Sequence, residues 1–289
     1  MSRAATLIAA IDVFLEETRA DVRDARLIPL EDRLTKALSR AFRAQGRRFL
    51  THFAALWDQL PGRLDDAQWE RYLALAQLET KPLFEAPVRD AMRRAMTEGI
   101  VHAAEELPVL EALREARDDD EIAVAYGIRF DLANPRAVRY LEDRGARLVS
   151  NVDATTRDYI KTVVTEGADK GWSYNQMAKA ITDRYSEFAV GRPQKHIDSR
   201  AHLIAVTEVG EAYSHGNHLV GESLRDAGIT MEKKWDTTGD PRVCEICAAN
   251  EAADWIPFDA PYPSGDARPL AHPGCRCDEL MRRAEDEPT

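Results

Sequence analysis

Residues 198–240 read DSRAHLIAVTEVGEAYSHGNHLVGESLRDAGITMEKKWDTTGD, and this stretch decides the fold class. Up to Ala227 its apolar residues recur every three or four positions. That period predicts one long helix from about Asp198 to Ala227, closed by Gly228. After Gly228 the period falls to two. Ile229, Met231, Lys233 and Trp235 alternate with Thr230, Glu232 and Lys234, which predicts a short strand, and Asp236–Asp240 is a turn. A long helix handing over to a short strand indicates a mainly α chain that ends in a small α+β segment.

Upstream, the helical period continues. Leu7, Ile8, Ile11, Phe14 and Leu15 make one apolar face, and Leu34, Leu38, Phe42, Phe49, Phe53, Leu56, Trp57 and Leu60 make another. Pro29 is expected to interrupt between them, and Pro61-Gly62 to stop the second. Further helices are expected over residues 66–78, 87–107 and 109–117, with Gly99 a weak point. Asp118–Glu121 reads as a solvated boundary. It divides a helical N-terminal region (1–120) from a second region (126–283) and an acidic tail (284–289). In the second region Asn134-Pro135 starts a helix that should end near Gly145. Asp153 or Thr155 would cap the next helix, and Gly171 would end it. Ser173 and Gln176 then form a capping box. Downstream of the decisive stretch, Pro and Gly dominate, with one more strand expected around Trp255–Phe258. The last twelve residues are acidic and expected to fray.

The 289 residues are 44% hydrophobic, which excludes wholesale disorder, and the net charge of −11 argues against nucleic-acid binding by the molecule as a whole. No apolar run is long enough to span a bilayer, and the N-terminus reads as a cytosolic helix rather than a signal peptide.

All four cysteines fall late in the chain, as Cys244-Glu-Ile-Cys247 and, after 24 residues, His272-Pro-Gly-Cys275-Arg-Cys277. Two cysteines separated by two residues can turn around one metal, and the second group offers three more ligands. Zinc held by Cys244, Cys247, Cys275 and Cys277 is the first reading, with His272 able to replace one of the last pair. A closed, structural site suits a Pro-rich segment with little core of its own. Free thiols or disulfides are the alternatives. A redox C-x-x-C is disfavoured because no βαβ setting is readable.

Arg33, Lys36, Arg40, Arg43 and Arg47 recur at three and four, which aligns them as one basic stripe inside an acidic protein. Such a stripe is either a solvated face paired with acidic neighbours or a contact for DNA phosphates or an acidic partner. Glu208 shares a small, apolar helix face with Ala201, Ile204, Ala205 and Ala212, so it should be buried and need a partner. It is either a hydrogen-bond hub or a general base. His215 and His218 are expected to face solvent. The chain has no phosphate-loop, nucleophile-elbow or H-E-x-x-H motif.

Five motifs now stand in order: FDLANPRAVRYLEDRG; Gly171-Trp-Ser173 with Met177-Ala178; Arg200-Ala201-x-x-Ile204-Ala205-x-Thr207-Glu208 with Ala212-Tyr213 and Gly216; Lys234-Trp235-Asp-Thr-Thr-Gly-Asp240; and the Cys/His cluster. Together they resemble the phage Mu F-like minor head proteins, also called phage head morphogenesis proteins, over about Phe130 to Arg282. The resemblance implies a low-copy protein of the capsid interior, present in the host cytoplasm during assembly. Its partners would be the portal and other head proteins, with packaged double-stranded DNA in contact and no membrane. It assigns no catalytic role, so Arg200, Thr207, Glu208, Trp235 and Asp240 carry over only as signature positions. Some members extend past the CRC motif into toxin domains. With twelve residues after Cys277, a plain head component is expected. The competing readings are a zinc-dependent or Glu208-based hydrolase or transferase, and a host zinc-knuckle DNA-binding protein.

Overall fold

Helices dominate the computed structural model, which describes residues 3–57, 66–107, 135–190, 199–239, 241 and 243–284. Helix α1 covers Arg3–Trp57, α2 Asp66–Glu106, α3 Pro135–Asp169, α4 Tyr174–Val190, α5 Arg200–Asp226 and the short α6 Glu245–Glu251. Strands β1 (Met231–Asp236), β2 (Ile256–Pro257) and β3 (Asp278–Arg283) form an antiparallel sheet in the order β2-β1-β3. The chain is therefore mainly α with a small C-terminal sheet, as the change of period at Gly228 indicates.

Several element ends follow local chemistry. Pro135 is the first residue of α3. Gly171 and Gly228 leave α3 and α5 at φ 66° and 86°, the left-handed region open to glycine. The capping box closes in both directions: the Ser173 amide donates to Gln176 Oε1 (2.8 Å) and the Gln176 amide to Ser173 Oγ (3.4 Å).

Other expected ends are corrected. Helix α1 runs through Pro29, and α2 runs through Pro82 and Pro87 as one helix instead of two. Proline removes the donor for the carbonyl four residues earlier. Those residues, Ala25, Leu78 and Leu83, are exposed, so water can serve the freed carbonyls. Helix α3 likewise passes Gly145 without a break. A helical glycine costs only about 1 kcal/mol, and buried Ala137, Thr156, Ile160, Val163 and Val164 hold the helix along its length. Asp153 caps nothing; it accepts from Gln45 Nε2 at 3.2 Å. Residues 278–283 do not fray, because they form β3 and pair with β1 from Asp236↔Asp278 to Met231↔Arg283. The helix expected over 109–117 and the boundary at 118–121 lie outside the described residues.

The chain divides into two units, one of residues 1–31, 92–139 and 206–289, the other of 32–91 and 140–205. In the second, Leu34, Leu38, Phe42, Phe49 and Phe53 of α1 are buried with Leu73, Phe84 and Val88 of α2, and Phe42 meets Phe84 edge-on at 5.1 Å. Arg200 lies over the rings of Phe42 and Tyr159 (5.3 and 5.8 Å). In the first, α2 and α5 touch backbone to backbone. A Cβ on Gly99 would strike the Tyr213 carbonyl, and one on Gly216 the Met96 carbonyl. Gly99 is thus a packing requirement rather than a weak point.

Candidate metal centre

Cys244 is the N-cap of α6. Its backbone is extended (φ −86°, ψ 165°), and its sulfur accepts from the Cys247 amide at 3.5 Å. This one turn sets both sulfurs of the C-x-x-C on the same side. The H-P-G-C-R-C segment meets them: His272 Nε2 lies 3.3 Å from Cys244 Sγ and 3.6 Å from Cys247 Sγ, and Cys247 Sγ lies 3.6 Å from Cys275 Sγ. All five residues singled out in the sequence come together, as two triads that share Cys247. Cys244, Cys247 and His272 form one, and Cys247, Cys275 and Cys277 the other; within each, the ligand atoms lie within 4.8 Å of one another.

These separations suit zinc. At Zn–S distances of about 2.3 Å, the edge of a tetrahedron is about 3.8 Å, and shorter where nitrogen replaces sulfur. The histidine is also set up to ligate. Its Nδ1 lies 3.0 Å from the Pro273 carbonyl, which can only accept. The proton therefore sits on Nδ1, and the Nε2 lone pair is aimed at the sulfurs.

Electrostatics within the cluster favour thiolate at Cys275 and Cys244 and oppose it at Cys247 and Cys277. Hydrogen bonds from Cys247 and then Cys277 pull the Cys275 thiol far below its ordinary range, while those Cys247 makes to Cys275 and then Cys277 push Cys247 up. Three adjacent sulfurs cannot all ionise without a cation among them. Burial opposes ionisation of Cys244, but hydrogen bonds from the Cys247 amide and thiol, with His272 and the Ile246 amide, together outweigh it and lower that thiol. A cation at the centre would let the remaining thiols ionise.

Helix α5 fixes the ligand loop. Thr207 Oγ1 accepts from the Gly274 amide at 3.0 Å, Ser214 donates to the Pro269 carbonyl, and Glu211 pairs with Arg268 at 3.2 Å. Arg276, between the last two cysteines, reaches Asp24 (3.3 Å) and the buried Glu31 (2.9 Å) on α1. Trp235, Tyr262 and Leu270 are buried in one cluster with Cys247, Cys275 and Cys277. Of the signature positions, Thr207 thus acts on the site and Trp235 packs against it. Glu208 is buried and engaged, as its helix face requires, and Asp240 lies outside the described residues.

The residue spacing does not reveal the polar layer behind the site. Asp278 accepts from Tyr213 Oη (3.1 Å) and Asn217 Nδ2 (3.3 Å), and Glu279 accepts from Tyr262 Oη (3.2 Å) and faces His218 Nδ1 at 2.7 Å. His218 does not face solvent; it is buried and stacks on Phe258 at 4.5 Å. Nor is His215 a solvent histidine. Burial, then Arg268 and His218, hold its imidazole down to about 3. The only signal in the sequence was a pair of polar residues, Asn217-His218, on an otherwise apolar helix face.

The basic stripe belongs to the other unit. Arg33, Lys36, Arg40, Arg43 and Arg47 are all exposed. Among the described residues none pairs with a carboxylate.

A long α-helix followed by a three-stranded sheet beside a Cys/His cluster defines a mainly helical protein whose C-terminal segment has the ligand types and spacing to hold a metal ion. Residues 158–280 match the family described as Phage Mu protein F like protein. No curated protein and no solved structure matches the chain. Among the described residues no helix is long and apolar enough to cross a membrane.

Proposed function

We propose that the protein is a minor head component of a tailed phage or prophage, acting by binding rather than catalysis. It docks on the portal or inner head surface during assembly, in the host cytoplasm, and remains in the capsid interior. The family match over residues 158–280 carries this reading. The exposed stripe on α1 supplies a contact face, for a head protein or for packaged DNA.

Within this reading the Cys/His cluster is a structural zinc site. Cys244 and Cys247 supply two ligands, and two of His272, Cys275 and Cys277 the others. Burial of Cys247, Cys275 and Cys277 and the apolar packing of Trp235, Tyr262 and Leu270 support a closed site without room for substrate. Bound zinc would cross-link α6, the H-P-G-C-R-C loop and the start of β3. Elemental analysis of protein purified in reducing buffer without added metal should give about one zinc per chain. The metal should be lost on acidification, because its thiolates must be deprotonated. A content below about 0.2 zinc per chain would argue against a tight site. Co-expression with the portal protein of the same phage or prophage tests the docking: the two should co-purify, and separate elution would oppose the reading.

A further inference from the structure

The outer side of the α1–α2 pair holds a groove of about 640 Å³. Its floor is Ala37, Ala41 and Ala44 of α1; Pro82, Leu83 and Pro87 of α2 form the far wall; Arg40, Arg43 and Arg47 stand along the near rim. We propose that this groove is the docking site for an acidic, amphipathic helix of a partner protein. The proposal rests on the binding role above only for the partner being a head protein; its chemistry stands on α1 and α2.

Three observations converge. First, the charge row is unsatisfied by the described residues and extends from Arg33 to Arg47. Four turns of helix are about 21 Å long, so a facing helix with Asp or Glu at three- and four-residue spacing would match it charge for charge. Secondly, the floor is apolar and made of small side chains, which lets a third helix approach an antiparallel pair closely. Leu83, on the groove wall, is 47% exposed and leaves apolar surface open beside the alanines. Thirdly, Pro82 and Pro87 lack the N–H groups that would serve the carbonyls of Leu78 and Leu83, and they stiffen that wall.

The alternatives fit less well. Duplex DNA presents phosphates to the cations but nothing apolar to cover the alanines and Leu83. A symmetric second copy would set the stripe against itself, arginine facing arginine. A helix with carboxylates on one flank and Leu or Met on the other satisfies both halves of the groove.

The test uses the full chain and fluorescence anisotropy. The probes are a labelled peptide of about 20 residues, helical, with Glu beside a Leu stripe, its counterpart with Lys for Glu, and a short DNA duplex. The Glu peptide is expected to bind and the Lys peptide not. Arg40→Gln/Arg43→Gln/Arg47→Gln should weaken binding at least about tenfold. Ala44→Trp, which fills the floor and leaves every charge, should do the same; Leu83→Asp gives a second reading if Ala44→Trp melts early. No saturable binding of the Glu peptide overturns the proposal. So does duplex binding that the triple variant abolishes and Ala44→Trp leaves intact, which would mark a phosphate-contact face. Self-association by sedimentation that the triple variant abolishes would make a second copy the occupant and equally overturn it. Since no head protein enters the assay, its failure leaves the family match untouched.

Discussion

His215 shows what a single residue contributes. Its imidazole titrates near 3 in the fold, against 6.5 when unperturbed, chiefly through burial and then through Arg268 and His218. The unfolded chain therefore takes up this proton first as pH falls. The stability contributed by neutral His215 is fully present above about 6.5 and is lost progressively as pH drops toward about 3. His215→Gln should remove that part of the acid sensitivity. Urea midpoints at several pH values, with metal chelated so that thiolate protonation does not contribute, would show a flatter profile for the variant. Identical profiles would refute the assignment. The sequence read this histidine as solvent-facing because helical spacing fixes which residues share a face, not what packs on that face. Loop residues 268–270 cover this part of α5, and they are more than fifty positions away in the chain. The metal-ligand candidates were legible for the opposite reason. C-x-x-C and H-x-x-C-x-C carry their geometry in their local spacing.

At the scale of elements, α5 is the platform on which the ligand loop rests. The Thr207 hydroxyl accepts from the Gly274 amide in the middle of H-P-G-C-R-C. Thr207→Val keeps the shape and removes the acceptor, which leaves a partly buried N–H unsatisfied and the loop less firmly placed. Outer-shell losses of this kind typically lower metal affinity about 10–100-fold. Competition with a chromophoric chelator should find such a drop, with the helical circular dichroism unchanged. An affinity equal to wild type would mean that the loop places its own ligands. The strands show where sequence reading stopped. β1 was legible from its alternation. β3 was not, because DELMRR opens with two carboxylates and looks like a solvated tail. Those carboxylates are instead buried against Tyr213, Asn217, His218 and Tyr262. Likewise the prolines of α1 and α2 read as helix breaks, yet at exposed positions the lost hydrogen bond costs less than the buried apolar face of the helix returns.

For the whole molecule, a net charge of −11 coexists with a cationic row that has no carboxylate partner among the described residues. Screening at physiological salt limits that row to groups within about 8 Å, so the proposed docking there is a direct contact rather than an effect of the protein's overall field. The family match over residues 158–280 supports the proposed role as a part held by other head proteins. The most direct measurement is mass spectrometry of gradient-purified particles from the phage or prophage that encodes the chain, compared with particles from an in-frame deletion. The protein should be present in intact heads at low copy relative to the major capsid protein, and the deletion should reduce the yield of filled heads. Its absence from wild-type heads at every stage of assembly, with normal head yield in the deletion, would contradict the account.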